Sequence, residues 1–398
     1  MSELPRLLYL SNVPVEASYH GSALLYRLFS DYPRDKLRIL EGSTPHASQP
    51  ARRVTGVSYG LFPSGMRQVL RSWLLLPYGS WLTWRAESWA HKVARFLSGF
   101  QPEAVLTVAH GPLWLTAAAF ARQRGLPLHL ICHDDIGVTM HLVPAWRPGL
   151  EKKFARVYRQ ASSRLCVSPY MRDDYRQRFG VDATVLYPSR AADGLSFDSP
   201  PERLQQPCSK LTVAFGGTIN SLGHARALQD LAQALQQVGG RLLIFGPLTT
   251  ANAESMGMVS PNIELRGLHT STDMIKALRE EADALVVTMS FAAGDSQAMR
   301  TNFPSKLADY TAAGLPLLIY GPPDSSAVVW AKENAPVAEV VTATGVEPLL
   351  LALRRLREDA DHRVALAEAA IRVGATFFAP ERARETFLGA VGGTQRSR

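Results

Sequence analysis

T-N-F-P-S-K-L-A-D-Y-T-A-A-G-L-P-L-L-I-Y-G-P-P, residues Thr301–Pro323, carries its own punctuation. Pro304 stands where a helix begins, because its φ is preset and it has no N–H to lose. Gly314 stands where that helix ends, and the apolar run Leu315–Ile319 reads as the next buried strand. The spacing therefore predicts a helix over Pro304–Ala313, with Ser305 and Lys306 in its first turn. A helix start offers unpaired N–H groups and partial positive charge, which suits an anion. Ser305 adds a hydroxyl and Lys306 a full charge. Asp309, at i+3 from Lys306, is a carboxylate able to accept hydrogen bonds from ribose hydroxyls. The same residues also fit a serine near a cap and an exposed Lys–Asp pair.

Working outward, short apolar runs alternate with amphipathic stretches. Upstream, strands are predicted at Leu7–Leu10, Leu37–Leu40, Ala104–Val108, Leu128–Cys132, Arg164–Val167 and Thr184–Leu186. Helices are predicted at Ser22–Phe29, Leu113–Arg122, Leu150–Gln160 and Tyr170–Phe179, with Pro112 and Pro169 at starts and Gly180 at a stop. Tyr187–Lys210 breaks the rhythm; it is rich in Pro and Ser and reads as a linker. The alternation then restarts, with strands at Leu211–Phe215, Arg241–Phe245, Ile263–Leu265, Ala284–Thr288 and Pro316–Ile319. Helices fall at Ala225–Val238, Thr272–Glu280 and Ser326–Asn334, and the tail from Val346 is helical. Two α/β runs imply two parallel sheets with helices on both faces. A chain of 398 residues is long enough for two such cores.

Composition narrows the class. Hydrophobic residues are 46% and charged residues 20%, ordinary for a globular protein. The longest apolar stretch, Ala104–Ala121, is broken by His110, Gly111 and Pro112, short of the about 20 residues a span needs. With no signal-peptide layout, the expected location is cytoplasmic. Cys132, Cys166 and Cys208 are far apart in sequence, which argues against a disulfide framework or a zinc knuckle. The one D-x-D triplet, Asp359–Asp361, falls in the helical tail, so no metal is expected. Residues 1–190 hold 24 Lys and Arg against 13 Asp and Glu, while the rest holds 19 against 22. The basic half suits an anionic partner or is simply a solvated surface. Within Tyr59–Phe100, Trp89, Val93 and Phe96 follow helical spacing and fit a core. Trp81, Trp84 and Arg85 mix ring and cation as interfacial segments do, which suggests peripheral membrane contact. No nucleic-acid reading motif is present.

Three further motifs follow strands. In L-I-C-H-D-D, Leu130–Asp135, His133 and Asp134 sit at the carboxyl edge of a parallel sheet, where open α/β sheets place ligands. In Ser11–Ser22, Gly21 permits close backbone approach, and Glu16 and His20 are candidate acceptor contacts. In Phe215–His224, Gly216, Gly217 and Thr218 can bring N–H groups to a diphosphate, or make only a tight turn.

F-P-S-K-L-A-D-Y-T-A-A-G-L-P-L-L resembles the donor-site signature of glycosyltransferase family 4, retaining enzymes of GT-B architecture. Val167–Ser189 is similar to that family's end of the N-terminal domain, and R-L-L-I-F-G-P, Arg241–Pro247, to its second C-terminal strand. Asn262–Met274 resembles its nucleobase-contacting loop. The resemblance implies two Rossmann-like domains facing across a cleft. Residues 1–188 form the acceptor side, 189–210 the linker and 211–375 the nucleotide-sugar domain, and 376–398 pack back on the first. It implies a nucleotide diphosphate sugar as donor, with no cofactor, and catalytic roles for His133 and Lys306. Donor contacts then fall on Gly21, Gly216, Gly217, Thr218, Gly246, Arg266, His269, Thr301, Ser305, Lys306 and Asp309. Glu16, His20 and Asp134 lie toward a saccharide or lipid-linked acceptor, as in surface polysaccharide assembly. The chain departs from the family in two places. Asp309 and Thr301 stand where Glu is usual, and the 216–224 loop lacks the Arg and Lys that hold the diphosphate. Charge on the leaving group then falls to Lys306, helix ends, and Arg300 or Arg266. Two other classes fit the same residues: a nucleotide-sugar epimerase of the same fold, and a non-catalytic donor-binding partner of another transferase.

Overall fold

The structure, a computed structural model, describes residues 3–17, 20–43, 48–65, 74–137, 139–140, 142–219, 221–269 and 271–393. It divides into two compact units: residues 1–188 with 381–398, and residues 189–380.

The first unit is built on β1 (Leu7–Ser11), β2 (Leu37–Gly42), β3 (Ser58–Phe62), β4 (Ala104–Val108), β5 (Leu128–Cys132), β6 (Ser163–Cys166) and β7 (Thr184–Val185). They form one parallel sheet in the order β3-β2-β1-β4-β5-β6-β7. β1, β2, β4 and β5 are buried along their whole length, which is why they read as unbroken apolar runs rather than alternating ones. β3 escaped the sequence reading because its first four residues, S-Y-G-L, are exposed or half-buried and Gly60 interrupts them. Helix ends follow local chemistry. Ser168 caps Pro169–Phe179 by accepting from Met171 N–H, and Gly180, at φ 74°, closes it. The last helix, Pro380–Gly392, brings Phe387 against Phe29 and Tyr32, with ring centroids 5.8 and 6.4 Å apart.

The second unit repeats the pattern with β8 (Thr212–Gly216), β9 (Arg241–Phe245), β10 (Ile263–Gly267), β11 (Ala284–Thr288), β12 (Leu317–Tyr320) and β13 (Glu339–Val341), ordered β10-β9-β8-β11-β12-β13. Counted from its own first strand, each sheet has the order 3-2-1-4-5-6 of doubly wound dinucleotide folds. The stretch expected as a linker, 189–210, belongs to this unit. Its Leu204 and Gln206 carbonyls accept from the guanidinium of Arg363, which is 1% exposed and also donates to Leu356 and Arg357. A buried cation with no carboxylate partner is tolerable because four carbonyl oxygens surround it. Asp359 of the D-x-D triplet caps Ala360–Phe377, accepting from His362 N–H.

Among the described residues, no helix is long and apolar enough to cross a membrane. Cys132 and Cys166, distant in sequence, are register partners on β5 and β6, both buried thiols.

Candidate donor and saccharide sites

Each sheet reverses its direction of growth between its first and fourth strands, and the loops leaving the carboxyl ends there are where open α/β sheets place ligands. In the first unit these are the loops after β1 and β4, with the β5 loop beside them. His133 directly follows β5, and its Nε2 lies 3.4 Å from Asp134 Oδ2. Gly21 is explained by this histidine: a Cβ there would stand 2.6 Å from His133 Cε1. The third group is His110, which sequence reasoning passed over. It lies one residue further past β4 than His133 lies past β5, its ring lies 5.7 Å from that of His133, and its Nδ1 is 3.8 Å from Asp134 Oδ2. The donor atoms of His110, His133 and Asp134 all lie within 4.8 Å of one another, close enough to share one sugar hydroxyl pair or one small cation.

Asp135 holds this loop in place. It is 3% exposed, accepts from Gly137 N–H at 2.8 Å, and pairs with Arg178 at 3.1 Å. Asn12, at the end of β1, accepts from Leu113 N–H at 2.8 Å, so the start of Leu113–Arg124 is already capped. Glu16, expected toward an acceptor, is 4% exposed and accepts from Gln49 N–H, tying two loops together. The His20 side chain lies outside the described residues.

In the second unit the corresponding loops follow β8 and β11. Gly216 N–H donates to Tyr310 Oη at 2.5 Å, fastening the glycine loop to the segment that carries Lys306. Gly217 N–H donates to Phe245 O, and Gly246 passes so close to the Gly217 carbonyl that a Cβ would run into it. Thr218, half-exposed, follows in the same loop. Ser221 caps the helix Leu222–Gln237, and its hydroxyl also meets His224 Nδ1 at 3.2 Å and Asp295 Oδ2 at 3.1 Å. Burial and the charge on Lys306 push His224 down to about 4, against the pull of Asp295, so it is neutral near pH 7.

Lys306 is part-buried as a residue, yet its ammonium lies 3.5 Å from the centroid of the Phe215 ring. Desolvation lowers its pKa from 10.5 to about 7. Its helix differs from expectation. Only Lys306–Tyr310 is α-helical, and Leu307 and Ala308 N–H donate to Pro304 and Ser305 carbonyls. Two first-turn donors are thus engaged, and so short a helix has little dipole. Anion attraction here rests on the ammonium rather than on the helix start around Ser305. Asp309 is half-buried and near Arg190, whose guanidinium donates to Ala308 O and Thr311 Oγ1.

The remaining expected donor residues are placed differently. Thr301 is 2% exposed and donates to Gln297 O. The Arg266 guanidinium, expected as a source of positive charge, pairs with Glu281, and Arg300 donates to Gln297. His269 packs edge-on against Phe245 and bonds Arg266 O, leaving it exposed at the end of β10.

Comparison with solved structures matches this arrangement over its whole length. A structure of HepE from Anabaena, in complex with UDP and glucose, superposes with a TM-score of 0.64 at 13% identity, covering 99% of this chain and 100% of that one. Sucrose-phosphate synthase from Thermosynechococcus elongatus gives 0.67 at 11% identity, with 98% of each chain covered. The fold is GT-B. Trehalose 6-phosphate synthase from Burkholderia multivorans also matches this GT-B chain, with a TM-score of 0.67 at 14% identity, covering 99% of this chain and 98% of that one. Residues 43–189, all but the last in the first unit, match the family model for Glycosyltransferase Family 4. No curated protein matches the chain.

Proposed function

We propose that this chain is a glycosyltransferase that takes its sugar from a nucleotide diphosphate donor bound by the second unit. The observation that carries the reading is the Lys306 ammonium, desolvated over Phe215 beside the glycine loop that follows β8. A desolvated cation gains most from a polyanion, and it meets charge as that charge develops on a leaving diphosphate. Asp309 is assigned to the ribose hydroxyls. His133, with His110 and Asp134, is assigned to saccharide hydroxyls in the first unit. HepE is crystallised with UDP and with UDP-glucose, so uridine diphosphate sugars are the first donors to try. The acceptor is read as a saccharide or lipid-linked saccharide of surface polysaccharide assembly, used at the cytoplasmic face of the membrane. Transfer is read as retaining and independent of metal and cofactor.

The test is turnover of UDP-glucose and other nucleotide sugars to free nucleoside diphosphate, with and without acceptor. Transferase activity requires release that rises with acceptor; epimerised donor without release would replace the proposal with the isomerase reading. Binding with neither outcome would favour a non-catalytic donor-binding partner, the reading that buried Thr301 and the uncharged 216–224 loop support. Chelation by EDTA is expected to leave turnover unchanged. Activity lost to EDTA and restored by a divalent cation would place an ion at His110, His133 and Asp134.

A further inference from the structure

The helix Leu75–Arg85 is inside out. Its buried face is Gly79, Ser80, Leu82 and Thr83, and its exposed face carries the large apolar groups. Trp84 is 63% exposed, Trp81 45% and Leu76 43%. The inward hydroxyls are satisfied, since Ser80 donates to Leu76 O and Thr83 to Gly79 O. An amphipathic helix that folds by burial places its rings on the core side. Here Trp89 and Val93, one and two turns further along, do that, at 8% and 0% exposed. The outward tryptophans therefore answer to something outside the chain.

A second element extends the surface. Val143 N–H donates to Ser80 Oγ, which holds the segment leading to Trp146, itself 48% exposed, beside the inverted helix. The Arg85 guanidinium is 5.7 Å from the Trp81 ring. The exposed charges nearest in sequence are cationic as well: Lys92 and Arg95 past the helix, and Arg147 next to Trp146. Glu87, the one acid between residues 74 and 100, is neutralised by Arg156 at 2.7 Å and Lys153 at 3.7 Å.

We propose that the outer face of Leu75–Arg85, together with Trp146, docks on the surface of an anionic lipid bilayer. Charge complementarity selects this occupant. Tryptophan prefers the headgroup layer, and a rim of Arg and Lys gains from anionic lipid. A protein partner would instead meet a face where lysine is under-represented and charge is depleted from the centre. The proposal rests on the transferase reading only in giving a lipid-linked acceptor a place to be met; the docking itself needs no donor.

Co-sedimentation of the full chain with vesicles tests it. Phosphatidylcholine vesicles containing phosphatidylglycerol should pellet the protein, and phosphatidylcholine alone should pellet far less. Trp81→Ser with Trp84→Ser, and separately Arg85→Glu with Lys92→Glu, should each weaken binding at least about ten-fold. All four residues are exposed, so thermal midpoints should stay near that of the parent, and nucleoside diphosphate binding should be unchanged. Equal pelleting of parent and variants overturns the proposal, as does a parent that ignores anionic vesicles. Self-association that the tryptophan variant abolishes, without vesicle binding, would overturn it in favour of a second copy. Vesicle binding that survives a failed turnover assay would leave the docking standing while the transferase reading falls.

Discussion

In the proposed donor site Lys306 is the charged residue that matters most, and its environment makes it sensitive to pH. Its folded pKa is about 7 against 10.5 when solvated, so the native state disfavours the charged form. The unfolded chain then binds more protons between those values, and the penalty, complete below pH 7, is relieved as pH rises toward 10.5. Lys306→Met should therefore raise stability over the parent at pH 6, with the gain shrinking at alkaline pH, as denaturation at several pH values would show. Ligand binding runs the other way. A diphosphate holds the proton on Lys306, so affinity should fall up to about ten-fold per pH unit above 7, and calorimetry in two buffers should detect proton uptake. Lys306→Ala should weaken nucleoside diphosphate binding by about 10- to 100-fold, the value of a charged hydrogen bond. At the other site, Gly21→Ala would press a methyl against His133. It should lower turnover while leaving nucleoside diphosphate affinity unchanged, because Gly21 and His133 belong to the first unit.

At the scale of elements, the start of Leu222–Gln237 sets the second test. The Asp295 carboxylate reaches Ser221 there, and a Cβ on Gly223 would lie 2.8 Å from it. A side-chain anion at that end competes with a phosphate for the same N–H groups and partial charge. Asp295→Asn should tighten nucleoside diphosphate binding several-fold by titration calorimetry; weaker binding would mean that the carboxylate holds the loop open. The elements themselves were mostly legible in the sequence. β1, β4, β5, β8 and β11 stand out because both faces are covered, and Ser168, Pro169 and Gly180 mark a helix by local chemistry alone. β3 and β13 were not: Gly60 and exposed Leu61 break the apolar signal of the first, and the second, Glu339–Val341, offers only two apolar residues. The site was legible wherever a residue directly follows a strand, as His133 does. The burial of Glu16 and Thr301 was not legible, because their partners, Gln49 N–H and Gln297 O, arise from backbone geometry that no spacing announces. His110 was missed for a related reason: it meets His133 only through the pairing of β4 with β5.

For the molecule as a whole, the last helix matters to the first unit. Phe387 is fully buried against Phe29 and Tyr32, and Arg384 lies 3.4 Å from Asp31. Phe387→Ala should cost about 3–5 kcal/mol, read by denaturant unfolding, and most of that loss should fall in the first unit while nucleoside diphosphates still stabilise the second. The two units also differ in how the polypeptide supplies them. Residues 189–380 are one uninterrupted length, whereas the first unit is assembled from two separate lengths. A single protease nick near residue 188 or 380 would leave the fragments covalently joined at the other end. Nicks at both would leave the second unit one covalently continuous piece, and would make the first unit a two-fragment complex clasped by three aromatic rings.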